Sequence, residues 1–121
     1  MNWEIELPYP PSGNHRNSRN GKATYRPAGT IKYFADVVQA CREQSAPQRL
    51  SGRLSARYVI QAPDNRRRDL DNAVKTLNDA ITEAGVWLDD YQIDELQVYR
   101  MRPVRGGRVL VRISELPGDT P

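Results

Sequence analysis

One cysteine among 121 residues excludes a disulfide within the chain. With a single histidine, His15, beside that Cys41, it also excludes a zinc site of the Cys/His type in one chain. Aromatic residues are scarce at 7%, with only one phenylalanine. Long apolar runs are missing, because charges interrupt every hydrophobic stretch. No segment therefore reads as a membrane span or a signal peptide. The mean hydropathy is -0.74. The apolar residues are nonetheless periodic, which argues for a fold rather than disorder. The length suits one domain with a core of its own, and the reduced cysteine points to the cytosol.

What is present is charge, unevenly spread. The formal net charge is +3 and the pI about 9.2. Basic residues cluster at Arg16 to Arg26, at Arg66-Arg67-Arg68 and at Arg100 to Arg112. Acidic residues concentrate between Asp69 and Glu95. A basic surface around an acidic spot suits phosphodiester chemistry: cations meet the backbone and carboxylates meet a metal. The competing reading is that the arginine runs are solvated surface.

Trp3, Ile5 and Leu7 alternate with polar residues and read as a strand, ended by Pro8, Pro10 and Pro11. Ser12 to Gly29 reads as a long basic loop, with Lys22 to Arg26 as a short strand inside it. Ile31, Phe34, Val38 and Cys41 predict an amphipathic helix over Thr30 to Ser45, with Thr30 as N-cap and Pro47 as stop. Cys41 falls on its apolar face as a core residue. Leu54, Ala56, Tyr58 and Ile60 predict a second strand. Leu70, Ala73, Val74, Leu77, Ala80, Ile81 and Ala84 form the strongest helical stripe, and Gly85 stands where a C′ glycine belongs. Leu96 and Val98 mark a third strand to about Met101. Val109, Val111 and Ile113 mark a fourth. The Gly106-Gly107 turn suggests that these last two pair as a hairpin. The expectation is an α+β single domain, a small mixed sheet packed against two main helices, over residues 1–116. Residues 117–121 are expected to be a frayed tail.

The informative segment is Asp64-Asn65-Arg66-Arg67-Arg68-Asp69-Leu70-Asp71-Asn72, which joins a strand to the long helix. Two helical carboxylates one residue apart point roughly 200° apart. With Asp69 as N-cap and Asp71 in the first turn, both can face one cavity. Lys75 lies one turn beyond Asp71, and Asn78 shares that face. The plain alternative is capping and a helical ion pair: Asp69 as cap, Asp71 at the helix dipole, Asp71 with Lys75 at i,i+4. A second acidic spot follows in Val86-Trp87-Leu88-Asp89-Asp90, where an apolar triplet anchors a loop ending in two carboxylates. Asp90 can return towards the helix start. Mg²⁺ takes hard oxygen ligands, and three aspartates beside an arginine triplet fit that need. A turn-forming Asp pair is the alternative.

Arg66-Arg67-Arg68-Asp69-Leu70-Asp71-Asn72 with Lys75, then Gly85-Val86-Trp87-Leu88-Asp89-Asp90, resembles the RusA family of Holliday-junction resolvases. The opening Leu7-Pro8-Tyr9-Pro10-Pro11-Ser12-Gly13-Asn14 and the closing Gly106-Gly107-Arg108 before an alternating strand resemble the family's two ends. The resemblance covers essentially the whole chain and departs from the family in the loop Asn14 to Arg26. It implies a homodimeric α+β endonuclease, typically encoded by phages or prophages. Such enzymes cut four-way DNA junctions symmetrically with Mg²⁺ or Mn²⁺, in recombination and repair. By the same resemblance Asp69, Asp71 and Asp90 would be metal-binding carboxylates and Lys75 the catalytic lysine. Asp89 fits the motif but ranks behind its neighbour. Arg66, Arg67 and Arg68 would neutralise DNA phosphates. The implied place of action is the cytoplasm of a bacterial or phage-infected cell, at the nucleoid, with no membrane. Two rival readings are a non-catalytic basic nucleic-acid-binding module and a hydrolase of another phosphate ester.

Overall fold

The computed structural model describes residues 1–11 and 27–117. The expected loop strand at Lys22 to Arg26 and the end of the expected tail lie outside the described residues. Among the described residues, four strands, two α-helices and one short 3₁₀ turn follow in the order β1 (Asn2–Leu7), α1 (Ala28–Glu43), β2 (Leu54–Gln61), α2 (Leu70–Glu83), the turn Asp90–Gln92, β3 (Ile93–Arg100) and β4 (Arg108–Glu115). The alternating residues on β1, β2 and β4 behave as their period demands. Ile5, Leu7, Leu54, Ala56, Tyr58, Ile60, Val109, Val111 and Ile113 all turn into one buried face. Both helices contribute to the same core through Phe34, Val37, Leu77, Ala80 and Ile81. Burying such side chains contributes on the order of 1.5–3 kcal/mol each before conformational entropy is subtracted.

The sheet is mixed, in the order β1-β4-β2-β3. β3 runs parallel to β2, as the α2 crossover requires, and β4 runs antiparallel to both β1 and β2. The hairpin expected between β3 and β4 is therefore absent, because β2 lies between them. The residues explain the order. All four inward positions of β2 are apolar and buried, so it needs neighbours on both sides. β3 carries Asp94, Glu95, Gln97 and Arg100 and is largely exposed, which suits an edge. The segment after β3 passes the end of β2, with the Met101 N–H bonded to the Ile60 carbonyl and the Val104 N–H to the Ala62 carbonyl, both at 2.9 Å. Its turn sits at Gly107, φ 72°, where a Cβ would approach the Tyr9 Cβ to 2.8 Å. Any side chain there would meet both backbone strain and a clash.

Two helix expectations need correction. α1 begins at Ala28, and its N-cap is Pro27 rather than Thr30. Pro27 has extended backbone, and its carbonyl accepts from Thr30 at 3.0 Å and Ile31 at 3.1 Å. The apolar face is turned by about one residue: Thr30, Tyr33, Phe34, Val37 and Cys41 are buried, and Ile31 is 56% exposed. The Tyr33 hydroxyl drives that phase, donating to the Pro8 carbonyl at 2.7 Å. α2 follows its stripe closely and ends as expected. The Gly85 N–H bonds to Thr82 at 3.0 Å and the Val86 N–H to Ile81 at 3.3 Å, with Gly85 at φ 83°. This is the paired closure of a glycine-terminated helix.

Candidate active site

Asp69 occupies the N-cap position of α2, yet its carboxylate accepts no capping hydrogen bond. Asp71 follows in the first turn. Both are exposed. Among the described residues neither carboxylate has a hydrogen-bond or ion-pair partner. Asp69 thus stands at the capping position without doing the work of a cap.

The arginine triplet is not uniform. Arg66 and Arg67 are exposed. Arg68 is drawn in, with its side chain 15% exposed and its Nη1 2.8 Å from Asp64 Oδ1. Its guanidinium also lies 5.6 Å from the centre of the Tyr9 ring. The hydrogen bond from Arg68 holds the Asp64 carboxyl below the usual carboxylate range. The Arg68 Nε is buried and has no partner among the described residues. The Pro-rich segment that follows β1 faces this loop across a shared hollow. Tyr9, Pro10, Pro11, the three arginines, Asp69 and Asn72 line an open pocket of about 420 Å³.

Asp90 is fixed from the other side. Val86 and Trp87 are buried, and the Trp87 indole N–H donates to the Thr82 hydroxyl at 2.6 Å. Leu88, the third member of the expected apolar anchor, is exposed instead. Asp89 is the capping residue of the pair, because its carboxylate accepts from the Tyr91 N–H at 3.0 Å. Asp90 is left free of that duty. Its carboxyl is raised above the usual range, first by burial, then by Asp89 and Asp79, while Lys75 opposes the rise.

The Asp90 turn packs against α2, and the Asp90 carboxylate is near enough to Lys75 and Asp79 to feel both charges. Asp71 sits one turn nearer the helix start, about 6 Å along the axis from Lys75. The structure brings the Asp90 turn to α2. It does not gather Asp69, Asp71 and Asp90 round one point, and among the described residues no three Asp, Glu, His or Cys side chains do so. The parallel crossover explains the separation: α2 starts beyond the end of β2, and the Asp90 turn leads into the start of β3. The donor chemistry nevertheless suits a hard divalent ion. Two carboxylates have no protein partner among the described residues, and a third is partly desolvated beside other acids. Mg²⁺ customarily takes one or two carboxylates and completes its shell with water and phosphate.

Asn78 departs from the expected polar face. It is half-buried and accepts a hydrogen bond from the core Tyr58 hydroxyl. Asp79 takes its place beside Lys75. Sequence reasoning also missed Gln92, which completes a capping box with Asp89. The Asp-x-x-Gln spacing of Asp89 to Gln92 is a sequence-level sign of such a box.

The model of the family described as Endodeoxyribonuclease RusA matches residues 8–114. The crossover junction endodeoxyribonuclease of Enterobacteria phage HK97 is 40% identical over 114 residues, covering 94% of this chain and 95% of the relative. The crossover junction endodeoxyribonuclease of Escherichia coli K12 is 36% identical over 117 residues, covering 97% and 98%. That of Enterobacteria phage 82 is also 36% identical with the same coverage. The chain belongs to the RusA endodeoxyribonuclease family.

Proposed function

We propose that this RusA-family chain is a Holliday-junction resolvase: a Mg²⁺-dependent endonuclease, with Mn²⁺ as an alternative ion, that cleaves four-way DNA junctions symmetrically as a homodimer. Its curated relatives carry the name crossover junction endodeoxyribonuclease over nearly its full length. The observation that carries the site is Asp69, which holds the N-cap position of α2 without capping it. Its oxygens, spent on no capping bond, are left available to a cation.

Asp69, Asp71 and Asp90 are the candidate carboxylates for the ion, which customarily takes one or two of them and fills its shell with water and phosphate. When bound, it would polarise the scissile phosphate and lower the pKa of an attacking water. The chain's own residues supply the rest. Lys75 is exposed on the face that Asp90 overlooks, and its ammonium stabilises charge developing at the phosphorus centre or the leaving oxygen. Arg66, Arg67 and Arg68 line the pocket beside Asp69 and neutralise flanking phosphates. Asp64 and Tyr9 keep Arg68 in place there. A four-way junction is close to two-fold symmetric, so an isologous dimer offers one site to each of two opposed strands. No helix among the described residues is long and apolar enough to cross a membrane. The reading places the enzyme at cytoplasmic DNA, acting in recombination and repair.

The test is a gel assay with a synthetic four-way junction and a linear duplex of matched sequence, each in Mg²⁺ and in EDTA. The expected result is paired nicking of the junction in Mg²⁺ only, with junction binding kept in EDTA. Binding without cleavage would favour the non-catalytic module. Hydrolysis of a small phosphate ester without junction preference would favour the third reading. Sedimentation at micromolar concentration is expected to give a dimer.

A further inference from the structure

Gln92 is buried, at 6% exposure, and its carboxamide is fully used. Its Oε1 accepts from the backbone N–H groups of Leu88 and Asp89, each at 2.8 Å. Its Nε2 donates to the carbonyls of Leu50 and Gly52, each also at 2.8 Å. Two acceptor sites and two hydrogens are spent on four backbone groups. Glutamate has the same length but no hydrogens for the two carbonyls. Methionine can fill the space and bond to none of them. Asparagine is one methylene short.

The four bonds join two segments distant in sequence. Leu50 and Gly52 precede β2, and Leu88 and Asp89 precede β3. Backbone bonds from Arg49 to Gly85, at 2.7 Å, and from Leu50 to Val86, at 2.9 Å, already tie the segments before this point. They stop as the chain reaches Leu88. Between Leu88 and the start of the β2–β3 ladder at Leu54 and Ile93, the described hydrogen bonds across the gap are those of Gln92 and of the Arg53 guanidinium, which donates to the Tyr91 carbonyl at 2.9 Å.

Asp90 sits inside this frame. The N–H before it, on Asp89, is held by Gln92 Oε1. The N–H after it, on Tyr91, is held by the Asp89 carboxylate at 3.0 Å. The Gln92 N–H itself bonds to the Asp89 carbonyl at 3.0 Å. We propose that Gln92 is a positioning residue of this endonuclease, which fixes the direction in which Asp90 presents its carboxylate to the Lys75 turn of α2. The inference rests on the reading of Asp90 as a metal-binding carboxylate.

The experiment uses the full chain with Gln92→Met and Gln92→Glu, each checked for fold by circular dichroism and studied below its melting midpoint. Mn²⁺ affinity is read without DNA from the electron paramagnetic resonance signal of free Mn²⁺. The Mn²⁺ concentration for half-maximal junction cleavage is read separately from the rate at saturation. Junction binding is read in EDTA. Residues that orient metal ligands typically carry about 10–100-fold in metal affinity. The expected result is at least about a tenfold loss of Mn²⁺ affinity, a matching rise in the half-maximal concentration, and cleavage partly restored at high Mn²⁺. Junction binding in EDTA stays unchanged. A folded variant with wild-type Mn²⁺ affinity would overturn the proposal. Loss of fold in both variants would also overturn it, making Gln92 a stability determinant. Asp90→Asn runs alongside. If Asp90→Asn binds Mn²⁺ and cleaves as wild type, the reading of the site fails. If Asp90→Asn weakens Mn²⁺ binding and the folded Gln92 variants do not, only the role of Gln92 falls.

Discussion

Lys75 pairs forward with Asp79, Nζ to Oδ2 at 3.8 Å, rather than back with Asp71. The Lys75 side chain is 80% exposed, so the pair is a surface contact. Its removal is expected to cost a few tenths of a kcal/mol at most. Lys75→Ala is therefore expected to keep its melting midpoint and its junction affinity. Its cleavage rate is expected to fall about a hundredfold, as when one charge-stabilising donor is lost. Single-turnover cleavage next to a thermal melt checks both. A normal rate would return Lys75 to a purely structural role.

Arg66 and Arg67 are exposed beside the pocket, whereas Arg68 is held by Asp64 and Tyr9. Replacing Arg66 and Arg67 together with Ala is expected to weaken junction binding without unfolding the chain. The slope of log affinity against log salt is expected to flatten by roughly one unit per lost phosphate contact. Arg68→Ala is expected to lower thermal stability as well, because it leaves Asp64 unpaired and uncovers Tyr9. A salt series in EDTA decides, and identical slopes for wild type and double variant would remove Arg66 and Arg67 from the DNA surface.

The Arg53 guanidinium bonds to both oxygens of the Asp94 carboxylate and to the Tyr91 carbonyl next to Asp90. The hydrogen bond from Arg53 holds the Asp94 carboxyl below its ordinary value of 3.8. A carboxyl lowered on folding stabilises the protein above its unfolded value, and the gain is lost as pH falls through the lower folded value. Asp94→Asn is expected to melt below wild type at neutral pH. The gap should close as pH drops beneath 3.8. Melting curves over an acid series test this. A gap that persists in acid would mean that the charge pair is not its source.

The alternation of β1, β2 and β4 and the stripe of α2 were readable because each buries a single face at a fixed period. The β3–β4 hairpin was misread because adjacency and a Gly-Gly turn are local signs. Strand order depends instead on the α2 crossover and on which strand has apolar residues enough to sit centrally. The phase of α1 was misread because Thr30 and Tyr33 enter the core as polar residues, Tyr33 with its hydroxyl satisfied by Pro8. At the site, Asp69, Asp71, Lys75 and Asp90 stood out as a motif. Their separations did not, since those depend on where the crossover sets the Asp90 turn along α2. Asp79 was overlooked because the Asp71 spacing offered Lys75 an equally good partner. Gln92 was overlooked because its partners Leu50 and Gly52 lie about 40 residues away, a distance that no local pattern spans.

The central claim is tested most directly by single-turnover cleavage of a synthetic four-way junction by Asp71→Asn in saturating Mg²⁺, with junction binding measured in EDTA. Asn keeps the shape of Asp71 and removes a negative charge from an exposed position. The fold is expected to persist and binding to hold or tighten. Loss of one metal-binding carboxylate should lower the cleavage rate by orders of magnitude. Cleavage within a few-fold of wild type would contradict the account and leave Asp71 as a helix-terminal charge.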